Sequence, residues 1–386
     1  MKLTRDNINL FYVYCFLTSS NFAIPVIIVF LLSNGLSLTE AMLLQTVYSL
    51  TILATEMPTG VMADVIGRRI SLLLSSILQS IASLVYFLGR NLFHFLLGEV
   101  LWGIGASFMS GTLAALLYDS LLQTGKEGEY KAIFGRGQMF GLIASALAFL
   151  IGGFLSKINL RYPLGLTSII FSISILSALF FQEPKRSKRY RASSLIIIKE
   201  SLNLIFKSRV IQWLTLYLIT IGCYLAICQW FYQPYLLSRK ISLSYFGAIY
   251  TGFTLLTALN AKFAHRYEKY IKEPLYLLSI FTAFLLSLFL MPYLEGIFSI
   301  ILILLQQSLR GAYSPIVSYY INKYTPSEFR ATLLSFENLA GRALFALTSP
   351  IMGLLADIHG LNITFMIMGL SLIACLITLT KWRLSL

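Results

Sequence analysis

Long apolar runs recur along this chain, and short polar segments punctuate them. A helix needs about 20 predominantly apolar residues to cross the roughly 30 Å hydrocarbon core of a bilayer. Twelve runs meet that requirement. The first six cover residues 9–32, 39–62, 70–88, 92–121, 132–156 and 162–182. The second six cover residues 210–236, 242–263, 274–292, 296–322, 329–356 and 361–380. The pattern predicts an all-α integral membrane protein with twelve transmembrane helices in two sets of six. A hydrophilic stretch, Gln182 to Arg209, separates the sets and contains Glu183-Pro184-Lys185-Arg186 and Lys188-Arg189-Tyr190-Arg191. The amphipathic piece that follows, Ser193 to Lys207, is too short and too charged at its ends to span, and is expected to lie in the interface. The expected domains are residues 1–182, a basic cytoplasmic linker over 183–209, and residues 210–386.

Composition narrows the class. The chain is 57% hydrophobic and 12% charged, half the charge of an ordinary soluble domain, so it cannot cover a water-facing surface with ionic groups. Disorder is excluded, because disordered chains are poor in apolar and aromatic residues. The formal net charge of +14 suggests a nucleic-acid binder, but the cations come in short clusters between apolar runs and not on one soluble module. They report topology instead. With the N-terminus inside, the inside segments hold 22 cations and the outside segments 5. That bias predicts both termini in the cytoplasm and a cell-membrane location.

Other chemistry is absent from the sequence. Cys15, Cys223, Cys228 and Cys375 form no CxxC pair and read as small buried hydrophobes. His94, His265 and His359 are far apart, so no metal cluster is expected. No P-loop occurs. Neither a catalytic group nor a cofactor is predicted, and the chain does not read as an enzyme. The apolar run after Met1–Asn9 is too long for a signal peptide and is kept as span one.

The second span ends in Gly60-Val61-Met62-Ala63-Asp64-Val65-Ile66-Gly67-Arg68-Arg69. This reads as a tight cytoplasmic turn. Gly60 allows close helix approach, Gly67 permits the reversal, and Arg68 and Arg69 anchor the loop at the anionic inner leaflet. The run resembles the G-x-L-A-D-x-x-G-R-R signature of the major facilitator superfamily, with Met62 where Leu is usual. Joined to twelve spans, a long central loop and inside termini, the resemblance covers the whole chain. It implies two pseudo-symmetric six-helix bundles that work by alternating access, usually as a monomer. A degenerate second copy follows span eight, Ala261 to Lys269, with His265 replacing the acid and Glu268 the second glycine. In the family the signature acid and arginine pair with an acid closing span four and face the start of span eleven. Here Asp119 closes span four, and Thr325-Pro326-Ser327-Glu328 opens span eleven with a capping-box pattern. The resemblance thus implies that Asp64, Arg68 and Asp119 latch the cytoplasmic face.

A charge inside the bilayer is costly, so each one needs a partner or a watery cavity. Spans three, six, nine and twelve contain none. The charges well inside spans are Glu56, Glu99, Arg310, Glu337 and Arg342. The carboxyls are candidates for proton coupling, or for structural hydrogen bonds. The arginines cannot carry the proton. They either bind an anionic substrate group or are tied up by Glu337. Asn21, Tyr224, Gln229, Trp230, Gln306 and Tyr313 are further cavity candidates, since amphipathic rings and amides suit organic ligands.

Drug–proton antiporters of the superfamily carry a second signature in span five. The matching stretch here runs Gly135, Ala144, Ala148-Phe149, Gly152-Gly153, with the proline missing. The resemblance favours proton-coupled export of a small organic or amphiphilic compound. The alternatives are import of an anionic nutrient or metabolite, and a non-transporting receptor or assembly factor on the same scaffold.

Overall fold

The computed structural model describes residues 2–184, 208–270, 273–326 and 330–384. The predicted interfacial helix and Ser327-Glu328 lie outside these, as do the side chains of His265 and Glu268. The chain is 87% helical, with no strand among the described residues, which makes the fold all-α. Seven of the described helices are long and apolar enough to cross a membrane.

The chain divides into two compact units, Met1–Lys188 with Ser242–Thr254, and Arg189–Ile241 with Leu255–Leu386. The first begins with α1 (Lys2–Ser19), α2 (Ile27–Ser33), α3 (Leu38–Ile66), α4 (Arg68–Leu88) and α5 (Leu92–Met109). It continues with α6 (Thr112–Leu122), α7 (Tyr130–Ile158) and α8 (Tyr162–Phe180). The helices after the central loop are α9 (Arg209–Ser238), α10 (Phe246–Tyr270), α11 (Glu273–Leu290), α12 (Ile297–Tyr324) and α13 (Arg330–Leu384). The first arm of α10 thus groups with the first unit.

Two predicted spans are not continuous. Span one breaks between α1 and α2, where Asn21 Oδ1 accepts from Ala23 N at 3.0 Å and Pro25 supplies no N–H. Irregular backbone at membrane depth must have its polar groups satisfied by protein. Here Phe22 N donates to Thr167 Oγ1 of α8 at 3.0 Å. Span four breaks at Ser110–Gly111. Gly111 sits at φ +70, a left-handed conformation that costs a residue with a Cβ. Spans eleven and twelve form the two arms of α13, divided at Gly360 (φ +80).

Hydroxyl groups join helices that hydrophobicity cannot, since lipid tails are as apolar as leucine. Ser80 of α4 meets Ser172 of α8 at 2.6 Å, and Ser168 Oγ donates to Ser80 O at 3.2 Å. In the second unit, Tyr217 and Tyr235 of α9 donate to the carbonyls of Leu277 (2.7 Å) and Met291 (2.8 Å).

Each unit also has an arginine on the carbonyls just after or at a helix end, where a cation is favoured. Arg161 donates to Phe87 O (2.6 Å), Gly89 O (2.8 Å) and Asn34 Oδ1 (2.8 Å). Arg239 donates to Met291 O (3.0 Å), Pro292 O (2.9 Å) and Asn362 Oδ1 (2.8 Å).

Candidate functional site

The signature turn joins α3 to α4. Gly67 makes the reversal at φ +113. The Arg68 guanidinium forms an ion pair with Asp119 on α6 and also donates to the Ala115 carbonyl. Both side chains of the pair are about four-fifths buried, with relative exposures of 18% and 19%. Asp64 and Arg69 are exposed. Close packing does not demand glycine at position 60, because a Cβ there would meet nothing within 4 Å. That corrects the expected role of Gly60. Of the predicted span-eleven opening, Thr325 is buried and its carbonyl accepts from Arg330 Nε at 3.1 Å.

Sequence reasoning missed Glu183. Its carboxylate accepts from the backbone N–H of Arg68 (2.9 Å) and of Arg69 (2.8 Å). The first turn of α4 contains no acid, so its unpaired N–H groups and partial positive charge are met by a residue 115 positions away. Buried Asn7 holds the segment in place. It donates to Gln182 O and Ser120 Oγ, both at 2.9 Å, and accepts from Gln182 N at 3.0 Å. The available signal was an acid directly after span six in a basic loop, opposite a helix start with no acid. Glu183→Ala is expected to destabilise the protein by about 1 kcal/mol, the usual worth of a lost cap. Glu183→Gln should cost less. The melting temperatures of the purified variants check the order.

In the first unit Glu99 of α5 is 3% exposed. It accepts from Tyr86 Oη of α4 and from Gln45 Nε2 of α3, the latter at 3.3 Å. Both of these partners are uncharged. Glu56 of α3 is half-buried and accepts from Ser110 Oγ, at the break in span four, at 3.1 Å. Between the two carboxyls, Thr55 Oγ1 donates to Ser107 Oγ at 2.8 Å. A seam of polar groups therefore runs along α3 and α5.

In the second unit Glu337 of α13 is buried and accepts from Thr215 Oγ1 of α9 at 3.4 Å. Arg310 of α12 donates to Gln229 of α9. Arg342 is half-buried. Among the described residues Glu337 forms an ion pair with neither arginine, so the expectation that it ties them up is not met. Tyr224 pairs with Ser371 at 2.7 Å. Gln306, fully buried, accepts from Tyr232 Oη at 2.6 Å and donates to Ser287 Oγ at 2.8 Å. These two serve the interior of the unit. Tyr313 is buried where a Cβ at Gly222 would lie 3.0 Å from its hydroxyl. Trp230 is half-buried. Asn21 caps the break in span one.

A crevice of about 280 Å³ opens among α1, α5, α6 and α7, and Cys15, Thr18, Ser19, Gly137, Gln138 and Gly141 line part of it. Apart from Cys15, read as a small buried hydrophobe, none of these residues stood out in the sequence, because hydroxyls and glycines at helical spacing serve ordinary packing equally well.

Comparison with known proteins agrees with this architecture. The profile described as Major Facilitator Superfamily matches residues 10–294 and 228–385. The chain is 27% identical over 377 residues to the Uncharacterized MFS-type transporter YxaM of Bacillus subtilis (strain 168), covering 92% of this chain and 90% of that protein. It is 24% identical over 181 residues to the Quinolone resistance protein NorA of Staphylococcus aureus (strain MRSA252), covering 46% of this chain and 45% of that protein. Its fold resembles the crystal structure of the nucleoside transporter NupG, with a TM-score of 0.81 and 13% identity over 99% of both chains. It also resembles the D-xylose-proton symporter, with a TM-score of 0.73 and 14% identity over 96% of this chain and 97% of that one. At such identities the structural likeness speaks for the fold alone. The profile match, the whole-chain relative and an all-α fold that fits the family agree: the chain belongs to the Major Facilitator Superfamily, a multi-pass membrane transporter and not an enzyme.

Proposed function

We propose that this transporter exports a small organic or amphiphilic compound in exchange for protons, by alternating access in the cell membrane with both termini in the cytoplasm. Glu99 carries the reading. A carboxyl buried in a membrane helix and hydrogen-bonded to uncharged groups has no structural counter-ion to justify its cost. A carboxyl that takes and returns a proton in each cycle does justify it. Glu56 and Glu337 are the further carriers. Asp64, Arg68 and Asp119 latch the cytoplasmic face in the outward-open state. Export is supported by the partial span-five signature and by the likeness of about half the chain to NorA, a protein named for quinolone resistance.

The second reading is proton-coupled import of an anionic nutrient, and it is favoured by the two intramembrane arginines, which have no acid partner among the described residues. Everted vesicles with an acidified lumen separate the two. An exporter dissipates the pH gradient when its compound is added outside, and fluorescence of a pH-sensitive dye recovers. An importer accumulates a labelled anion in right-side-out vesicles instead. No response in either preparation across a compound panel would overturn the transport proposal in favour of a receptor or assembly role.

A further inference from the structure

The intramembrane charges are divided between the units. Glu56 and Glu99 lie in the first, and Arg310, Arg342 and Glu337 in the second. Among the described residues neither arginine has a carboxylate within 4.0 Å. Arg310 donates to Gln229, a neutral acceptor that orients the guanidinium and leaves its charge uncompensated. Arg342 is half-buried and makes no hydrogen bond or ion pair among the described residues.

The register of α13 explains why its own acid does not serve Arg342. Glu337 accepts from Thr215, and Thr348 meets Cys223 at 3.2 Å, so both face α9. They are eleven residues apart, about three turns, and share one stripe of the helix. Arg342 follows Glu337 by five residues and sits about 140° round the helix from that stripe. A guanidinium keeps its charge at every physiological pH, so burial among helices demands an anion or water. Its planar donor fork suits a carboxylate, sulfonate or phosphate group bidentately.

We infer that the second unit binds an anionic group of the transported compound, with Arg342 as its principal contact and Arg310 as a second cation. The compound is then an organic anion, whichever way it moves. The inference rests on the proposed carrier reading for the existence of such a compound, and on neither its direction nor its proton coupling.

The test uses purified full-length protein in a non-ionic detergent, without lipid or pH gradient. Its melting temperature is followed against 2-naphthoate, naphthalene-2-sulfonate, 2-naphthyl phosphate and the uncharged 2-naphthamide. At least one anion is expected to raise the melting temperature saturably, with no rise for the amide. Arg342→Gln should raise the half-saturating concentration at least about tenfold, and Arg310→Gln should raise it less. Arg342→Lys, which keeps the charge and guards against misfolding, should retain a weaker shift. Lys262→Gln, which removes an exposed cation near the end of α10, should change nothing. The inference is overturned by an equal shift with the amide, by no shift with any of the three anions, or by an unchanged response in Arg342→Gln. A shift seen only with phosphatidylglycerol in the micelles would assign the arginines to lipid and overturn it as well. Loss of proton coupling in a Glu99 variant leaves this shift intact, so the two readings fail separately.

Discussion

Glu99→Gln is expected to yield a folded transporter that no longer responds to a pH gradient. Glutamine keeps the volume of glutamate and can still accept from the Tyr86 hydroxyl through its amide oxygen. The contacts that hold the α3, α4 and α5 junction therefore largely survive. What the variant loses is the ability to bind and release a proton. Net transport driven by the gradient should fall to background. Exchange of labelled for unlabelled compound at equal pH, which moves no net proton, should persist. A mere structural fault would lower both together. Tyr86→Phe removes one donor from the carboxyl and leaves it able to protonate, so its gradient response should be weakened and not lost. A Glu99→Gln variant with full gradient dependence would remove Glu99 as the proton carrier and leave Glu56 and Glu337 to be tested the same way.

Gly153→Leu is expected to prevent formation of the folded protein. A Cβ at Gly153 would stand 2.5 Å from Gly247 N and 2.7 Å from Gly247 Cα. Those are backbone atoms, which cannot rotate aside as a side chain can, so the two segments would have to separate. The close approach extends one turn back along α7, since a Cβ at Gly247 would lie 3.0 Å from the carbonyl carbon of Phe149. Thr251 Oγ1 donates to Ala146 O at 3.0 Å beside it. This junction docks the first arm of α10 on α7. Overpacking commonly costs about 1–3 kcal/mol, and more where the backbone must move. Gly135 belongs to the same expected signature, yet a Cβ there would meet nothing within 4 Å. Gly135→Leu should therefore behave as wild type. Size-exclusion profiles of the two detergent-purified variants make the comparison. Two well-behaved profiles would show that the glycine contact is dispensable.

The two glycines mark the limit of what could be read from the chain. Both fit the same motif, and nothing in their local sequence separates a contact glycine from a free one. The same holds for Gly60, expected to pack closely and found with open space around it. Apolar runs located the helices well, since one run of sufficient length has one physical use in a bilayer. They did not reveal the breaks at residues 20–26 and at Ser110–Gly111. A break that is satisfied by neighbouring helices leaves no loss of hydrophobicity to detect. Gly111 is one glycine among many until its φ of +70 is known.

The candidate site divides in the same way. Asp119 and Arg68 could be paired in advance through the family signature, and the ion pair is present. Glu183 could not, because its partners are backbone N–H groups more than a hundred residues away, and a backbone donor has no sequence identity. The five intramembrane charges could be found by inspection, but not their partners. Glu337 was one of two expected partners for the arginines, and Arg342 follows it by five residues. The helix turns them to different sides, and Thr215 meets the acid instead.

Composition and run length thus decided the solvent and the helical class, because lipid leaves a chain few ways to satisfy its backbone, and the signature turn from Gly60 to Arg69 carried the resemblance to the family. Which carboxyl is buried among neutral donors, which arginine lacks an anion and which glycine touches backbone were decided only by packing. Those properties depend on what a neighbouring helix presents at the same depth, and residues distant in the chain set that.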